Sequence, residues 1–361
     1  VAVHNPLLAK LGISVPVVQA PMAGSNGVAL AVGVARAGGL GSLPMAMLSP
    51  DQMVEQVGQF RSAVDAPVNV NFFCHQEIAP TAEQLERWAA LAATFDGELG
   101  VERRAGSGGA PRRAFDDDAC RAVERLRPQI VSFHFGLPAP ELVERVRATG
   151  ATVLSSATTV AEAVWLEAHG CDVVIAQGAE AGGHRAMFLT EDVAAQPGTI
   201  ALVPRVVDAV AVPVIAAGGI GDSRGIAAAL ALGASAAQLG TAYLLCPEAL
   251  TPPAHRRALA GGSRDDTVLT NVFTGRPGRG RRNRLIDALG PMSADAPPFP
   301  MAAVGVGPLR AAAEAQGSGE FSPLWSGQRG VLADGVPAFE LTQQLASGVA
   351  GALSAATRLL G

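Results

Sequence analysis

The 361-residue chain carries 32 acidic and 27 basic side chains, a formal charge of −5, with 49% hydrophobic and 16% charged residues. This balance argues against a general affinity for nucleic acid or an anionic membrane and leaves ample apolar material for one large core or two smaller ones. Aromatics make up only 4%, so the core has to be built from Ala, Val, Leu and Ile, residues that suit parallel strands covered on both faces.

In chain order, Val15 to Ala20 reads as a short strand, followed by a helix from Gly27 to Ala37. Gly39 to Leu43 is a second strand, and Pro50 to Val64 a helix with Ser49 as its N-cap. Pro67 to Phe73 is a third strand and Ile130 to Phe135 a fourth, the latter followed by a helix from Pro138 to Thr149. Thr152 to Ser156 and Asp172 to Ala176 are the fifth and sixth strands, separated by a helix from Thr159 to His169. Pro213 to Ala217 and Ala236 to Leu239 are the seventh and eighth, with a helix from Ser223 to Leu232 between them.

Eight strands alternating with helices indicate βα units in a parallel sheet, and eight such units favour a closed (β/α)8 TIM barrel over an open doubly wound sheet. Residues 1–270 are expected to form the barrel. Pro80 to Pro128 reads as an insertion after strand three, with helical pattern at Thr81 to Thr94 and Asp116 to Leu126 around a mobile Gly/Arg-rich loop from Gly97 to Arg113. Residues 271–330, rich in Pro and Gly, are expected to form a loop-rich C-terminal cover on the substrate side, and residues 331–361 closing helices. The five arginines from Arg276 to Arg284 have no interleaved aromatics, so a solvated or intramolecular role is expected of them.

Cys74, Cys120, Cys171 and Cys246 are scattered without CxxC spacing, which reads as reduced thiols in a cytoplasmic protein. No secretory signal pattern is legible at the N-terminus. No uninterrupted apolar run of about 18 residues suggests a membrane span. There is no metal-ligand cluster, GxSxG motif or Walker loop.

In a barrel of this kind, the residues that carry chemistry lie at the C-terminal ends of the strands. Gly218-Gly-Ile-Gly221 leads into a helix beginning at Asp222 or Ser223, where free backbone N–H groups and the positive helix end suit a phosphate. Gln238, Leu239, Gly240 and Thr241 offer further N–H groups and a hydroxyl. Alone, the glycine pair could equally make a tight turn; paired with the strand-eight segment, it favours phosphate. His184 follows Gly182 and Gly183 just past strand six and is the candidate acid/base, an imidazole being able to take or give one proton near neutral pH. The competing reading is a solvated loop histidine. His75 and His134 also lie at strand ends; each alone reads as a satisfied hydrogen-bonding residue, with His134 also placed to line a substrate cavity. Asn71 and Gln177 offer both donors and acceptors to a heterocycle's edge, or cap strand backbone.

Taken in order, Gln19 to Gly24, Asn69 to His75, His134 to Pro138, Ala176 to Arg185, Ala216 to Ile220, Gln238 to Thr241, Thr270 to Pro277 and Leu324 to Gln328 resemble the nitronate monooxygenases, formerly called 2-nitropropane dioxygenases. Cys74-His75 and Thr274-Gly-Arg-Pro277 resemble the bacterial-type class. The resemblance implies an FMN-dependent barrel enzyme. Its flavin would contact Pro21, Met22, Asn71 and Gln177, and its phosphate Gly182, Gly218, Gly219, Gln238, Leu239, Gly240 and Thr241, with Ala20 and Gly183 also against the cofactor. It further implies oxidation of alkyl nitronates, such as propionate 3-nitronate, by O2 to a carbonyl compound and nitrite. His184 would be the catalytic residue, acting as base for a neutral nitroalkane or orienting an anionic nitronate, and His134, Phe321 and Trp325 would line the substrate cavity. The expected protein is a monomer or homodimer with no nucleic-acid, membrane or metal partner. Three other readings stay open: an FMN-dependent NAD(P)H enoyl-thioester or quinone reductase, a flavin-free phosphate-binding barrel lyase or isomerase, and a non-catalytic flavin-binding scaffold.

Overall fold

The computed structural model describes residues 5–103, 112–261, 266–330 and 334–360. Its strands are β1 (Val17–Gln19), β2 (Gly41–Pro44), β3 (Val68–Phe73), β4 (Ile130–His134), β5 (Thr152–Ala157), β6 (Val173–Gln177), β7 (Gly183–His184), β8 (Val214–Ala217), β9 (Ala236–Leu239), β10 (Thr267–Thr270) and β11 (Gly278–Arg281). Eight of them form one parallel sheet in the order β1-β9-β8-β6-β5-β4-β3-β2. A parallel bridge between Val18 and Leu40 joins its two edges, with Gln19 N donating to Leu40 O and Leu40 N to Val17 O, each at 2.9 Å. The sheet is thus a TIM barrel, surrounded by the helices that connect its strands.

The period-two alternation of the strands sorts the interior into a dry floor and a polar rim. Val18, Leu40, Ile130, Leu154, Val173 and Ile215 point inward and pack together, and the short helix Pro6–Leu11 closes this end with the buried side chains of Leu7 and Leu11. Each such aliphatic side chain contributes about 1.5–3 kcal/mol by leaving water. Alternate residues such as Val131, Phe133 and Val153 face outward onto the surrounding helices. Further along the same strands, the inward positions become Asn71, Ser132, His134, Ser156, Gln177 and Gln238, which line an open cleft.

Two regions depart from the plain repeat. The helix Asp117–Leu126 packs between the helices Pro50–Ala63 and Pro140–Ala148, in the place of the barrel's own third helix, so the extra segment is residues 74–116. The expected mobile loop spans Gly97 to Arg113; of it, residues 104–111 lie outside the described residues. The inserted helix Ala82–Ala93 joins the C-terminal region in a shared core. Trp88 is buried there with Val272, Leu285, Leu309 and Phe321, and its indole N–H donates to Ala302 O at 2.9 Å. The cover also holds the helices Arg284–Leu289 and Ala302–Ala315 and the antiparallel pair β10–β11. The long helix Ala338–Thr357 lies against the helices Ser223–Ala231 and Val28–Arg36. Tyr243, the one tyrosine of the sequence, is buried behind the barrel wall, where its hydroxyl meets Thr342 Oγ1 at 2.8 Å. No helix among the described residues is long and apolar enough to cross a membrane.

Candidate active site

The cleft at the C-terminal ends of the strands holds about 1310 Å³ of empty space, part of it open to solvent. Ala20, Pro21 and Met22 after β1, Asn71 on β3, Gln177 on β6, Gly182 and Gly183, Gly218 and Gly219 after β8, and Gln238, Gly240 and Thr241 around the end of β9 all line it. Leu239 turns its side chain the other way, into the core between barrel and helices with Val17 and Ile226. The alternation that turns Gln238 inward turns Leu239 outward.

The glycines are needed where they stand. Gly218 has φ +110° and Gly219 φ +69°, backbone that side chains other than hydrogen rarely adopt. A Cβ on Gly182 would lie 2.5 Å from Gly327 N and 2.6 Å from Ser326 C. The segment 326–330 folds over the cleft at that point, with Gly327 N donating to Thr241 Oγ1 at 2.9 Å and Gln328 N to Glu180 O at 3.0 Å. Arg329, in the same segment, lines the cleft and pairs with Asp222 at 3.1 Å. Gln238 Oε1 is buried without a partner among the described residues, an unmet acceptor of the kind a ligand's hydroxyl or N–H satisfies. Backbone amides, a free amide oxygen and the Arg329 guanidinium together suit a planar heterocycle carrying a phosphate.

One expectation about that phosphate needs correction. Two first-turn amides of the helix Ser223–Ala231 are not free, because Asp222 caps them itself: its Oδ1 accepts from Arg224 N at 3.0 Å and Gly225 N at 3.1 Å. Glu180, four residues before His184, performs a similar duty elsewhere, accepting from Thr199 N at the start of the helix Thr199–Ala209.

His184 does not sit in a loop. It is the second residue of β7, which pairs antiparallel with β11 (His184 opposite Gly278, Gly183 opposite Arg279). Its carbonyl accepts from Gln177 Nε2 at 3.1 Å and His134 Nε2 at 3.2 Å, while Gln177 Oε1 accepts from Ala186 N at 2.9 Å. Arg185, fully buried, donates to Gln177 O and Gly178 O at 2.8 Å each and to Gln196 Oε1 at 2.6 Å. These bonds fix the peptide that carries the imidazole. The ring itself packs among Trp325, Phe299, Phe135 and Phe73, with centroids 5.2, 5.3, 6.0 and 6.4 Å away. Burial, then the charges of Arg112 and the neighbouring groups His134, Arg276 and His75, holds its pKa well below the ordinary imidazole value, so the ring is neutral at physiological pH.

Its tautomer follows from one contact. His184 Nε2 lies 2.9 Å from Thr274 Oγ1. The Thr274 hydroxyl has a single proton, which it donates to Arg276 O at 3.3 Å, so it accepts from His184 Nε2–H. Nδ1 is left as the bare, basic nitrogen.

The structure brings His134 and Trp325 to the cleft wall. Phe321 is a correction: it lies in the cover's own core, 2% exposed and 5.2 Å from Phe95, because the inserted helix brings an apolar partner that the local sequence does not announce. Residues not singled out from the sequence also reach the site: Phe73 and Arg112 line the cleft, Phe135 and Phe299 flank His184, and Thr274 holds its ring. Trp325, expected at the cavity from the sequence, has room made for it on β11. A Cβ on Gly278 or Gly280 would come within 3.0–3.1 Å of its indole, so the alternating glycines of β11 make room for it.

The family model for nitronate monooxygenase matches residues 4–348. A nitronate monooxygenase of Paraburkholderia phytofirmans is 41% identical over 342 residues, 94% of this chain and 93% of that protein. One of Pseudomonas aeruginosa is 40% identical over 350 residues, 94% of this chain and 98% of that protein. Among solved structures, a nitroalkane oxidase of Streptomyces ansochromogenes superposes with a TM-score of 0.88 at 39% identity, covering 97% of this chain and 99% of that one. FabK of Thermotoga maritima gives a TM-score of 0.75 at 26% identity, covering 99% and 100%.

Proposed function

Because the chain belongs to the nitronate monooxygenase family and is an oxidoreductase, we propose that it binds FMN and oxidises alkyl nitronates with O2 to a carbonyl compound and nitrite. The observation that carries this reading is the neutral His184 ring, its Nδ1 free, held by Thr274 and the aromatic side chains over the cradle of strand ends.

The residues fit FMN. The cradle at Gly182, Gly218 and Gly219 leaves no room for side chains, Arg329 adds positive charge beside it, and the unpartnered Gln238 Oε1 awaits a donor. Asn71 Nδ2 is tied to Ser132 Oγ at 2.9 Å, which leaves its oxygen for a ring N–H. Bound FMN would supply the electron acceptor for the nitronate and the route of those electrons to O2. The protein's share is positioning and proton handling. Phe73, Phe135, Phe299 and Trp325 exclude water around His184. With a neutral nitroalkane, His184 Nδ1 takes the carbon-bound proton; with an already ionised nitronate, the same ring orients the substrate.

The test is anaerobic mixing of the flavin-loaded protein with a nitronate and, separately, with NADH while the flavin absorbance is followed. Rapid bleaching by nitronate is expected. Bleaching by NADH alone would support a reductase instead. Colourless protein after expression with ample riboflavin would overturn the cofactor assignment.

A further inference from the structure

A second cavity lies behind the aromatic wall of the active site, with Phe135 and Phe299 shared between its lining and the packing around His184. Two side chains on its wall carry buried nitrogens that have no hydrogen-bond partner among the described residues. His75 is 4% exposed, and neither ring nitrogen has a hydrogen-bond partner among the described residues; its ring lies 4.7 Å from that of Phe299. Arg276 Nε is buried and equally without a partner. The Arg276 guanidinium lies 4.1 Å over the Phe135 ring and gives one amino group to Met187 O. It makes no ion pair among the described residues, although Glu144 and Glu191 stand elsewhere on the cavity wall.

The charges of Glu162 and Glu191 offset part of the cost of burying the guanidinium, but its buried Nε–H stays unpaired, and an N–H left so is costly, as is an imidazole with both nitrogens idle. Both residues line the same cavity, and an anion bound there would offer acceptors to the idle N–H groups. With the face of the guanidinium covered by Phe135, its edge remains, and that edge matches a planar carboxylate. A neutral His75 can donate one further N–H to the same group.

We propose that the second cavity is a binding site for a carboxylate, held by Arg276 and His75 on the far side of the wall from His184. The carboxylate has two sources to be told apart: the tail of a nitronate that spans the wall, or a separate small carboxylic acid. The first rests on the function proposed above; the site itself does not.

The binding arm uses calorimetric titration of the flavin-loaded protein with succinate. Wild-type protein is expected to bind it, Arg276→Gln to bind it about tenfold more weakly or worse, and His75→Leu to weaken it as well. Circular dichroism establishes that each variant is folded, and His75→Leu decides the matter if Arg276→Gln is not. The kinetic arm compares kcat/KM for propionate 3-nitronate with that for propyl-1-nitronate. A fall in this ratio of about tenfold in Arg276→Gln identifies the carboxylate as the substrate's own. An unchanged ratio with succinate binding lost identifies a separate ligand. Wild-type protein that binds no succinate, with a ratio that survives both substitutions, overturns the site, as does succinate affinity unchanged in both variants. If the wild type oxidises neither nitronate, the proposed function falls while the binding arm still decides the site.

Discussion

The Nε2 of His184 lies 2.9 Å from the hydroxyl oxygen of Thr274, and that contact decides which ring nitrogen is basic. Thr274→Val removes the acceptor and lets the neutral ring populate both tautomers. Oxidation of a neutral nitroalkane, which needs a carbon-bound proton removed, is expected to fall by about tenfold. Oxidation of the pre-formed nitronate should change much less, and Thr274→Ser should restore the wild-type pattern. Parallel steady-state assays on the two ionisation forms check this; an equal loss on both would mean that Thr274 serves only the packing of the ring.

The same comparison separates the two roles of His184. His184→Asn keeps a polar side chain of similar bulk but no base. The rate on the neutral nitroalkane is expected to drop by about a hundredfold or more, with a smaller rise in KM for the nitronate. Unchanged turnover on both would remove His184 from the chemistry altogether.

The barrel and the cradle were legible in the sequence because each is written locally. Val173 to Gln177 ends an apolar run in a polar residue, and Gly218-Gly219 follows the next such run, so strand, direction and turn can be read within a dozen residues. What was not legible depends on contacts across the chain. His184 reads as a loop residue until its backbone pairs with β11, more than ninety residues later. Thr274 and Phe299 reach the site on a cover whose packing against the inserted helix has no periodic signature, and Phe321 is claimed by that packing instead of the cleft. Asp222 was rightly placed at a helix start, but the sequence does not reveal that its own side chain uses up two of the amides offered to a phosphate.

Acid should destabilise the fold through its buried histidines. Burial, the largest cause in each case, pushes His134 down to about 3, and His75 and His255 to about 4, and His184 falls well below its ordinary value too. In the unfolded chain each titrates near 6.5. Between those limits the unfolded chain binds more protons, so stability rises with pH and is lost as pH falls from about 6.5 toward 4. Melting temperature measured across this range is expected to decline steadily with acid, and the slope should lessen in His134→Gln. A flat profile from about pH 6.5 to 4 would contradict the buried, neutral state of these rings.

Gly182→Ala tests the cradle without touching a side chain. The new Cβ meets backbone atoms at 2.5 and 2.6 Å, Gly327 N and Ser326 C, which no rotamer change can relieve. The segment 326–330 has to move, taking Arg329 and the Gly327–Thr241 bond with it. FMN affinity, read by fluorescence quenching on titration, is expected to weaken by about tenfold or more. Gly183→Ala is the control for space, since no atom lies within 4 Å of a Cβ placed there, although φ +74° leaves a backbone cost. Equal FMN affinity in Gly182→Ala and wild type would mean that the cover does not close on the cofactor.

Glu162 holds the loop that follows His184, and its charge cannot be replaced by an isosteric amide. The side chain is fully buried. One oxygen accepts from Thr158 N and Thr158 Oγ1 at 2.7 Å each, the other from Phe188 N at 2.7 Å and Leu189 N at 3.2 Å. Glu162→Gln turns one of these acceptors into a donor that faces donors. The expected loss is about 2–3 kcal/mol in urea unfolding, the scale of a charged hydrogen bond broken in the interior. Because Phe188 and Leu189 lead directly from Met187, whose carbonyl anchors Arg276, hydrogen exchange should rise first at residues 186–189 and leave the barrel strands protected. Unchanged exchange in that loop, or stability within about 0.5 kcal/mol of wild type, would show that the four bonds are dispensable.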